Sequence, residues 1–418
     1  MTAQSKIDVE AATRTFLAQT EEHVVSYAEA CLHCGQCADA CLFYRSSGDP
    51  RHTPAYKLHP IAKAYKAQRF PLKWLGLAPK ITETDLREWE ELIFDTCTMC
   101  GRCTEVCPMG IDIASIVAQA RKAWVAAGLG PADLMDAANN TRDLGSPLGL
   151  TGAVLKERLE WLEDDDEVEF HIDKPKADVM LTVSSIEGMK YPHSLSAMAK
   201  IMNHAGIDWT ISTRGYEATN FGYLSGKGDI AKLSLARIVE AAEAIGAKTV
   251  VIPECGHAYG VLRWSGANLL GRPLPFEVLH ITEYMAKLKR AGKIKLKPYD
   301  TPMTYHDPCQ VSRRGGAAAD ARYLLEGFAT NFKEMVPTAE LNWCCGGGGG
   351  VQAIGRAADL RHKAFKIKID QVEATGTDTL VSACANCRLT MDESKEYWKW
   401  GGGLESIVEL IADHLDED

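Results

Sequence analysis

Two runs of cysteine constrain this chain more than anything else in it. Residues 31–41 read CLHCGQCADAC and residues 97–108 read CTMCGRCTEVCP. Each run is C-x2-C-x2-C-x3-C, the spacing of bacterial ferredoxins. Three closely spaced thiolates wrap one face of a cubane, and the fourth, carried away by the next turn, reaches the other cluster. That logic assigns Cys31, Cys34, Cys37 and Cys107 to one cubane, and Cys97, Cys100, Cys103 and Cys41 to the other. Leu42 stands where the first run would carry the proline that the second has as Pro108. Zinc sites rarely use four cysteines at this spacing. The 55 residues between Cys41 and Cys97 are many for a compact ferredoxin. They include YKLHPIAKAYKAQ and ETDLREWEELIF, whose apolar spacing predicts helices. The expectation for residues 1–150 is a mostly helical two-cluster ferredoxin domain with a helical insertion.

The remaining features place these clusters in a larger frame. The chain has 418 residues, enough for two or three domains. A formal net charge of −10 argues against nucleic-acid binding. The polar start MTAQSKIDVE lacks a signal-peptide pattern, and no apolar run reaches the roughly 18–20 residues that span a bilayer. The expected location is the cytoplasm, with membrane association supplied by partners. With no export signal, 14 clustered cysteines read as metal ligands and not as disulfides.

The acidic stretch EDDDEVEFHIDKPK reads as part of a linker, residues 151–176. Beyond it the pattern changes. Strand-like DVMLTV precedes helix-like SLSAMAKIMNHAG, and helix-like LARIVEAAEAIG precedes KTVVIP. PMTYHD, HKAFKIKIDQVEATG and DTLVSA repeat the theme, with helix, glycine and strand recurring at Gly246 and Gly376. This predicts a duplicated α/β unit with parallel strands, one half at 177–290 and one at 300–418. The fold class is therefore α+β and multidomain. Five cysteines sit at strand ends in the second half: Cys309, Cys344, Cys345, Cys384 and Cys387. In open α/β sheets ligands gather at the carboxyl ends of strands. The adjacent pair is followed by GGGGG (346–350), a bare backbone able to lie against sulfurs and offer them N–H donors.

The pattern of Cys309, then Cys344-Cys345-Gly346, then Cys384-x2-Cys387 resembles the cysteine-rich CCG domain of heterodisulfide reductases. Within that superfamily, CLHCGQCADACLFYRSSGDPRHTPAYKL, PECGHAY and HDPCQVSRRGG are similar to the K-type iron–sulfur subunits of the sulfite-reduction-associated membrane complex. The resemblance implies a non-cubane 4Fe–4S cluster at the five cysteines, making three 4Fe–4S clusters in all. It implies electrons arriving from a quinone-linked, cytochrome b-type membrane subunit at the inner face of the cytoplasmic membrane. It also implies reduction, or formation, of a disulfide or trisulfide on a small sulfur-carrier protein with redox-active cysteines. A rival reading makes the chain a pure relay, as in the iron–sulfur subunits of glycerol-3-phosphate and glycolate dehydrogenases.

The first half departs from the pattern, with VSSIEG and RGYEATNFGY where cysteines are expected and Cys255 alone near the last position. Gly246 on Gly376 places Glu254 opposite Cys384 and His257 opposite Cys387; Cys255 on Cys384 needs a one-residue shift. Cys255 is either a small buried hydrophobe or a redox-active thiol. His257 is either structural or a proton donor to a departing thiolate. His306 and Asp307 read as a loop hydrogen-bond pair. Arg313, Arg314 and Arg388 read either as solvated surface or as groups that stabilise an anionic cluster or dock an acidic partner. KLKRAGKIKLK (287–297) reads as an exposed helix end and linker.

Overall fold

In the computed structural model, residues 7–416 are described. The amino-terminal region is helical, as the cysteine spacing and apolar periodicity predict. Helix Glu83–Phe94 starts at a capping box, Thr82 with Asp85, and buries Leu86, Trp89 and Ile93 at three- and four-residue spacing. Helix Ile113–Ala126 starts on Asp112, whose side chain accepts from Ser115 N, and is buried on most of its faces. Together with helices Val9–Gln19 and His59–Gln68 these build one core around Phe16, Ile61, Trp89 and Trp124.

Two all-parallel sheets follow. The first contains β1 (Val179–Leu181), β2 (Trp209–Thr210), β3 (Thr249–Ile252) and β4 (Glu277–His280) in the order β2-β1-β3-β4. The second contains β5 (Met303–His306), β6 (Thr379–Ser382) and β7 (Gly403–Ser406) in the order β5-β6-β7. Strands β1, β3, β5 and β6 carry continuous buried residues, apart from the half-buried Thr379, as parallel strands covered on both faces should.

The halves exchange helices reciprocally. Helix His193–His204 of the first half packs on Ile407–Asp413, which closes the second. Helix Ile281–Arg290, which closes the first, packs on Ala318–Leu325 near the start of the second. Lys289 reinforces this contact by donating from Nζ to the carbonyls of Tyr323, Leu324 and Glu326. The basic stretch 287–297 is thus a joint between halves, not a free linker.

Residues 151–176 also differ from the expected linker. They form helix Gly152–Asp165, which starts on Thr151 and buries Leu155, Leu159 and Leu162. Phe170 is buried as well, and Ile172 bridges Ile211 beside β2. The acidic residues lie on the outer face of a segment whose leucines belong to the core of both halves.

Candidate redox site

The two ferredoxin runs fold alike. His33 and Met99, each just before the second cysteine, have φ of 52° and 53°, and Gly35 and Gly101, just after it, have φ of 83° and 76°. These left-handed residues curl each loop so that its thiols face one side. One pocket is lined by Cys31, Cys34, Cys37, Cys103 and Cys107. A second is lined by Cys41, Cys97, Cys100 and Cys103. The electrostatic neighbours follow the same partition: Cys37 is raised by burial, with Cys31, Cys107 and Cys34 adding to the shift. The buried Lys57 (2% exposed) faces the second pocket and draws the thiols of Cys41 and Cys97 downward against the burial that raises them.

The five remaining cysteines of the second half are all buried and come from three loops. Cys309 follows β5, and Cys384 and Cys387 open the helix Ala385–Trp398 after β6. Their thiols form a connected group. Cys345 is held well below the usual thiol range by Cys344 and Cys387, which hydrogen-bond to it. Cys309 is raised by its hydrogen bond with Cys344 and by burial. Cys344 is also the link outward: it is the first cause of the rise at Cys100, and its Sγ donates to Thr98 Oγ1 at 3.4 Å. Three thiol sets thus lie in series, with Cys100 and Cys344 joining the second to the third.

The glycine run answers to this junction. A Cβ on Gly348 would stand 2.9 Å from Thr98 O, and one on Gly349 would stand 2.8 Å from the Thr98 carbonyl carbon. The bare backbone therefore lies against the second ferredoxin loop. It also serves the sulfurs, since Gly346 N donates to Cys344 Sγ at 3.4 Å. Arg121 fastens the same junction. Fully buried, its guanidinium donates to the carbonyls of Ile93, Phe94, Cys97, Leu224 and Gly349, so three regions share one cation. Gly349→Ala, at φ 64°, is expected to destabilise the loaded protein by about 2 kcal/mol, as overpacked and strained positions do. Thermal unfolding beside Gly228→Ala, whose Cβ meets nothing within 4 Å, checks this; equal melting points would refute the close approach.

The third thiol set opens into an apolar cavity of about 210 Å³ between the two halves. Cys309, Cys345, Cys384 and Cys387 line one side, and Ser185, Thr219, Cys255 and His257 the other. Cys255 is 5% exposed, with Sγ 3.6 Å from Thr219 Oγ1, and burial together with Cys384 pushes its thiol up. His257 donates Nε2–H to Asn220 O at 3.2 Å, and burial pushes it down to about 4. The ring is therefore neutral near pH 7 with that proton already engaged.

Comparison with known proteins agrees with this arrangement. Residues 27–111 match a 4Fe-4S dicluster domain and residues 303–392 a cysteine-rich domain. Over 399 residues the chain is 31% identical to the D-type subunit of the dihydromethanophenazine:CoB–CoM heterodisulfide reductase of Methanosarcina barkeri, covering 93% of this chain and 94% of that one. The chain belongs to the heterodisulfide reductase D-like family. It is also 26% identical to an Hdr-like menaquinol oxidoreductase iron-sulfur subunit of Archaeoglobus profundus, over 93% of this chain and 79% of that one. A crystal structure of a hypothetical protein from Helicobacter pylori shares the fold at 12% identity, with a TM-score of 0.50 over 97% of this chain and 76% of that one. As a member of this family the chain is an iron–sulfur oxidoreductase subunit with ferredoxin-type and cysteine-rich domains. Among the described residues no helix is long and apolar enough to cross a membrane.

This heterodisulfide reductase D-like chain carries site residues that its sequence did not advertise. His306 does not pair with Asp307, which instead holds Arg322, Thr338 Oγ1 and Ala339 N. The imidazole is fully buried, and its Nε2 has no hydrogen-bond partner. Its ring nitrogen and the sulfurs of Cys345 and Cys387 all lie within 4.8 Å of one another. An orphaned buried nitrogen among soft sulfur donors fits an iron–sulfur group there. Lys368, also fully buried, donates to Asn342 Oδ1 and Gln371 Oε1 at 2.7 Å each and faces Cys344, Cys345 and Cys387. Burial pushes the amine down to about 7.

The arginines tie segments together, and Arg313 also draws the thiols of Cys100 and Cys309 downward against Cys344 and the burial that raise them. Arg313 donates to the carbonyls of Cys100, Glu340 and Asn342. Arg314 pairs with Asp112, and the buried Arg388 pairs with Glu254 at 2.9 Å and Glu409 at 3.0 Å. The two registers proposed for Cys255 both hold. Strands β3 and β6 align through Gly246 and Gly376, while Cys255 and Cys384 occupy the same place as N-caps of the helices that follow. The extra residue is absorbed between strand and cap.

Proposed function

We propose that the chain passes electrons through two cubanes to a non-cubane 4Fe–4S site that reduces, or in reverse forms, a disulfide or trisulfide. Cys31, Cys34, Cys37 and Cys107 would hold the first cubane, and Cys97, Cys100, Cys103 and Cys41 the second. Cys309, Cys344, Cys345, Cys384 and Cys387 would hold the third cluster, with His306 beside it. When bound, the clusters would supply one electron at a time to a two-electron reaction, RS–SR′ + 2 e⁻ + 2 H⁺ → RSH + R′SH. One observation carries the reading: the serial thiol sets end in an apolar cavity that also holds a thiol, Cys255, which no cluster set needs.

The chain's own residues do the rest. The cavity walls are mostly apolar, and Cys255 stands opposite Cys309, Cys345, Cys384 and Cys387, placed to engage one sulfur of the substrate. The exposed Cys34, with Leu32 (65% exposed) and Met109 (46%) around its pocket, marks the end where electrons enter. A cytochrome b-type, quinol-linked membrane subunit fits that end, in keeping with a relative whose name includes menaquinol oxidoreductase. The chain would then sit at the inner face of the cytoplasmic membrane through its partners. The substrate would be a small sulfur-carrier protein presenting paired cysteines. A pure relay role leaves the cavity and Cys255 without a use. Anaerobically loaded protein supplied with a reduced dye should consume a disulfide or trisulfide on such a carrier, yielding two thiols per two electrons. Oxidation of the dye only by a flavoprotein acceptor would favour the relay.

A further inference from the structure

Reduction of a disulfide consumes two protons as well as two electrons, and the cavity is apolar. His257 offers no free proton from its ring near neutral pH. Glu187 lies close by, but its carboxylate accepts from Ser184 N, Ser184 Oγ and Glu254 N. Glu254 is committed to Arg388 and Ser406. Neither residue lines an outer pocket.

Glu217 is placed differently. It is 6% exposed and sits where Val183 after β1 bridges its backbone. One carboxylate oxygen accepts from Ser185 Oγ, and the other accepts from Thr219 N at 2.8 Å. Ser185 and Thr219 both line the cluster cavity, and the Thr219 hydroxyl reaches Cys255 Sγ. On its other side Glu217 lines a separate polar pocket of about 260 Å³ with Arg214, Arg237, Tyr216 and Asp143. Arg214 and Asp143 are exposed, so this pocket meets solvent. Among the described residues, no other buried carboxyl borders this outer pocket while its hydrogen-bond partners line the inner cavity.

The hydroxyl of Ser185 is also oriented. Ser146 Oγ accepts from Leu148 N and Leu150 N and lies 2.6 Å from Ser185 Oγ, so its own proton points at Ser185. Ser185 donates to Glu217 while that group is ionised; once Glu217 is protonated, Ser185 Oγ accepts from it and its own proton is free to turn toward the cavity it lines.

We infer that Glu217 supplies protons from the outer pocket to the cavity through the hydroxyl of Ser185. This rests on the disulfide-reduction reading above. The step balances simply. The Glu217 carboxyl gives its proton to Ser185 Oγ, Ser185 releases its own proton to the departing thiolate, and the carboxylate is recharged from water in the outer pocket. Glu217 acts through its neighbours and is a positioning residue for the proton, not a catalytic residue. Burial raises its carboxyl to about 7, so it holds a proton to give over the neutral range. The ionisable groups facing it are Tyr216, Arg214, Arg237 and Asp143 on the outer side, and Cys255 and His257 across the cavity.

The test compares the loaded parent protein with Glu217→Gln and Glu217→Asp. The Gln variant should keep its iron content and its substrate-free cluster spectra. Its disulfide turnover should fall about 100-fold, the scale of one general acid. The parent should lose activity as pH rises through about 7, and the Gln variant should lack that limb. Glu217→Asp should recover part of the rate. Difference infrared spectra should show a protonated-carboxyl band in the parent near neutral pH. That band should shift in D2O and be absent from the Gln variant. Parental turnover with an unchanged pH profile in Glu217→Gln, in a protein whose parent is active, would overturn the proton route alone. A loaded parent that turns over no disulfide or trisulfide would overturn the function reading and the route with it.

Discussion

Cys345→Ala should lower anaerobic iron from about 12 to about 8 per chain, the loss of one four-iron cluster out of three. Cubane spectra should stay normal, and disulfide turnover should vanish. The thiol of Cys345 is drawn down by Cys344 and Cys387, and its sulfur lies within 4.8 Å of Cys387 Sγ and a ring nitrogen of His306. No other thiol reaches that position. Its absence leaves Cys344 turned toward Cys100 and Cys309, and Cys384 and Cys387 on the far side. Iron analysis with electron paramagnetic resonance of the reduced protein checks this. A variant that retains about 12 irons would show that Cys345 is not a ligand. A fall to about 4 would show that the Cys100–Cys344 junction makes the second cubane depend on the third site.

Cys255→Ala should have the opposite signature. All iron should remain, because no set of cubane or special-site ligands includes it. Turnover should fall at least about 100-fold if Cys255 engages one sulfur of the substrate. The thiol is raised by burial and by Cys384, so it rests protonated, and Thr219 Oγ1 is within reach to accept its proton. A parental rate would return Cys255 to the role of a small core residue. Selective loss of special-site iron would make it a sixth ligand. The two variants are informative together, since one removes the cluster and keeps the thiol while the other does the reverse.

The gathering of the ferredoxin thiols into two neighbouring pockets was legible because short-range spacing leaves little choice: three thiols within seven residues on a tight loop stay close together. The helices at 59–68 and 83–94 were legible from apolar spacing, and the parallel strands from apolar runs that follow Gly246 and Gly376. What escaped was tertiary. The acidic run at 164–167 looked like a linker because charge is visible in sequence, whereas the burial of Leu155, Leu159 and Leu162 depends on the neighbouring half. His306 looked like one member of a polar pair. Only the fold sends Asp307 to Arg322 and leaves the imidazole among sulfurs. Glu217 carried no motif at all; its meaning lies in standing between two cavities built from distant segments. Arg121 and Lys57 likewise gave no signal, since a cation inside an apolar helix pattern reads as an exposed position until its carbonyl or thiol partners are known.

The central claim is that the third thiol set, facing the cavity, holds a cluster that meets a substrate sulfur. Electron paramagnetic resonance of the anaerobically loaded, oxidised protein titrated with a thiol-bearing sulfur carrier tests it most directly. The account predicts a paramagnetic signal that appears only with the thiol, persists in Glu217→Gln and is absent from Cys345→Ala. A spectrum identical with and without every thiol offered, in protein carrying its full iron, would contradict it.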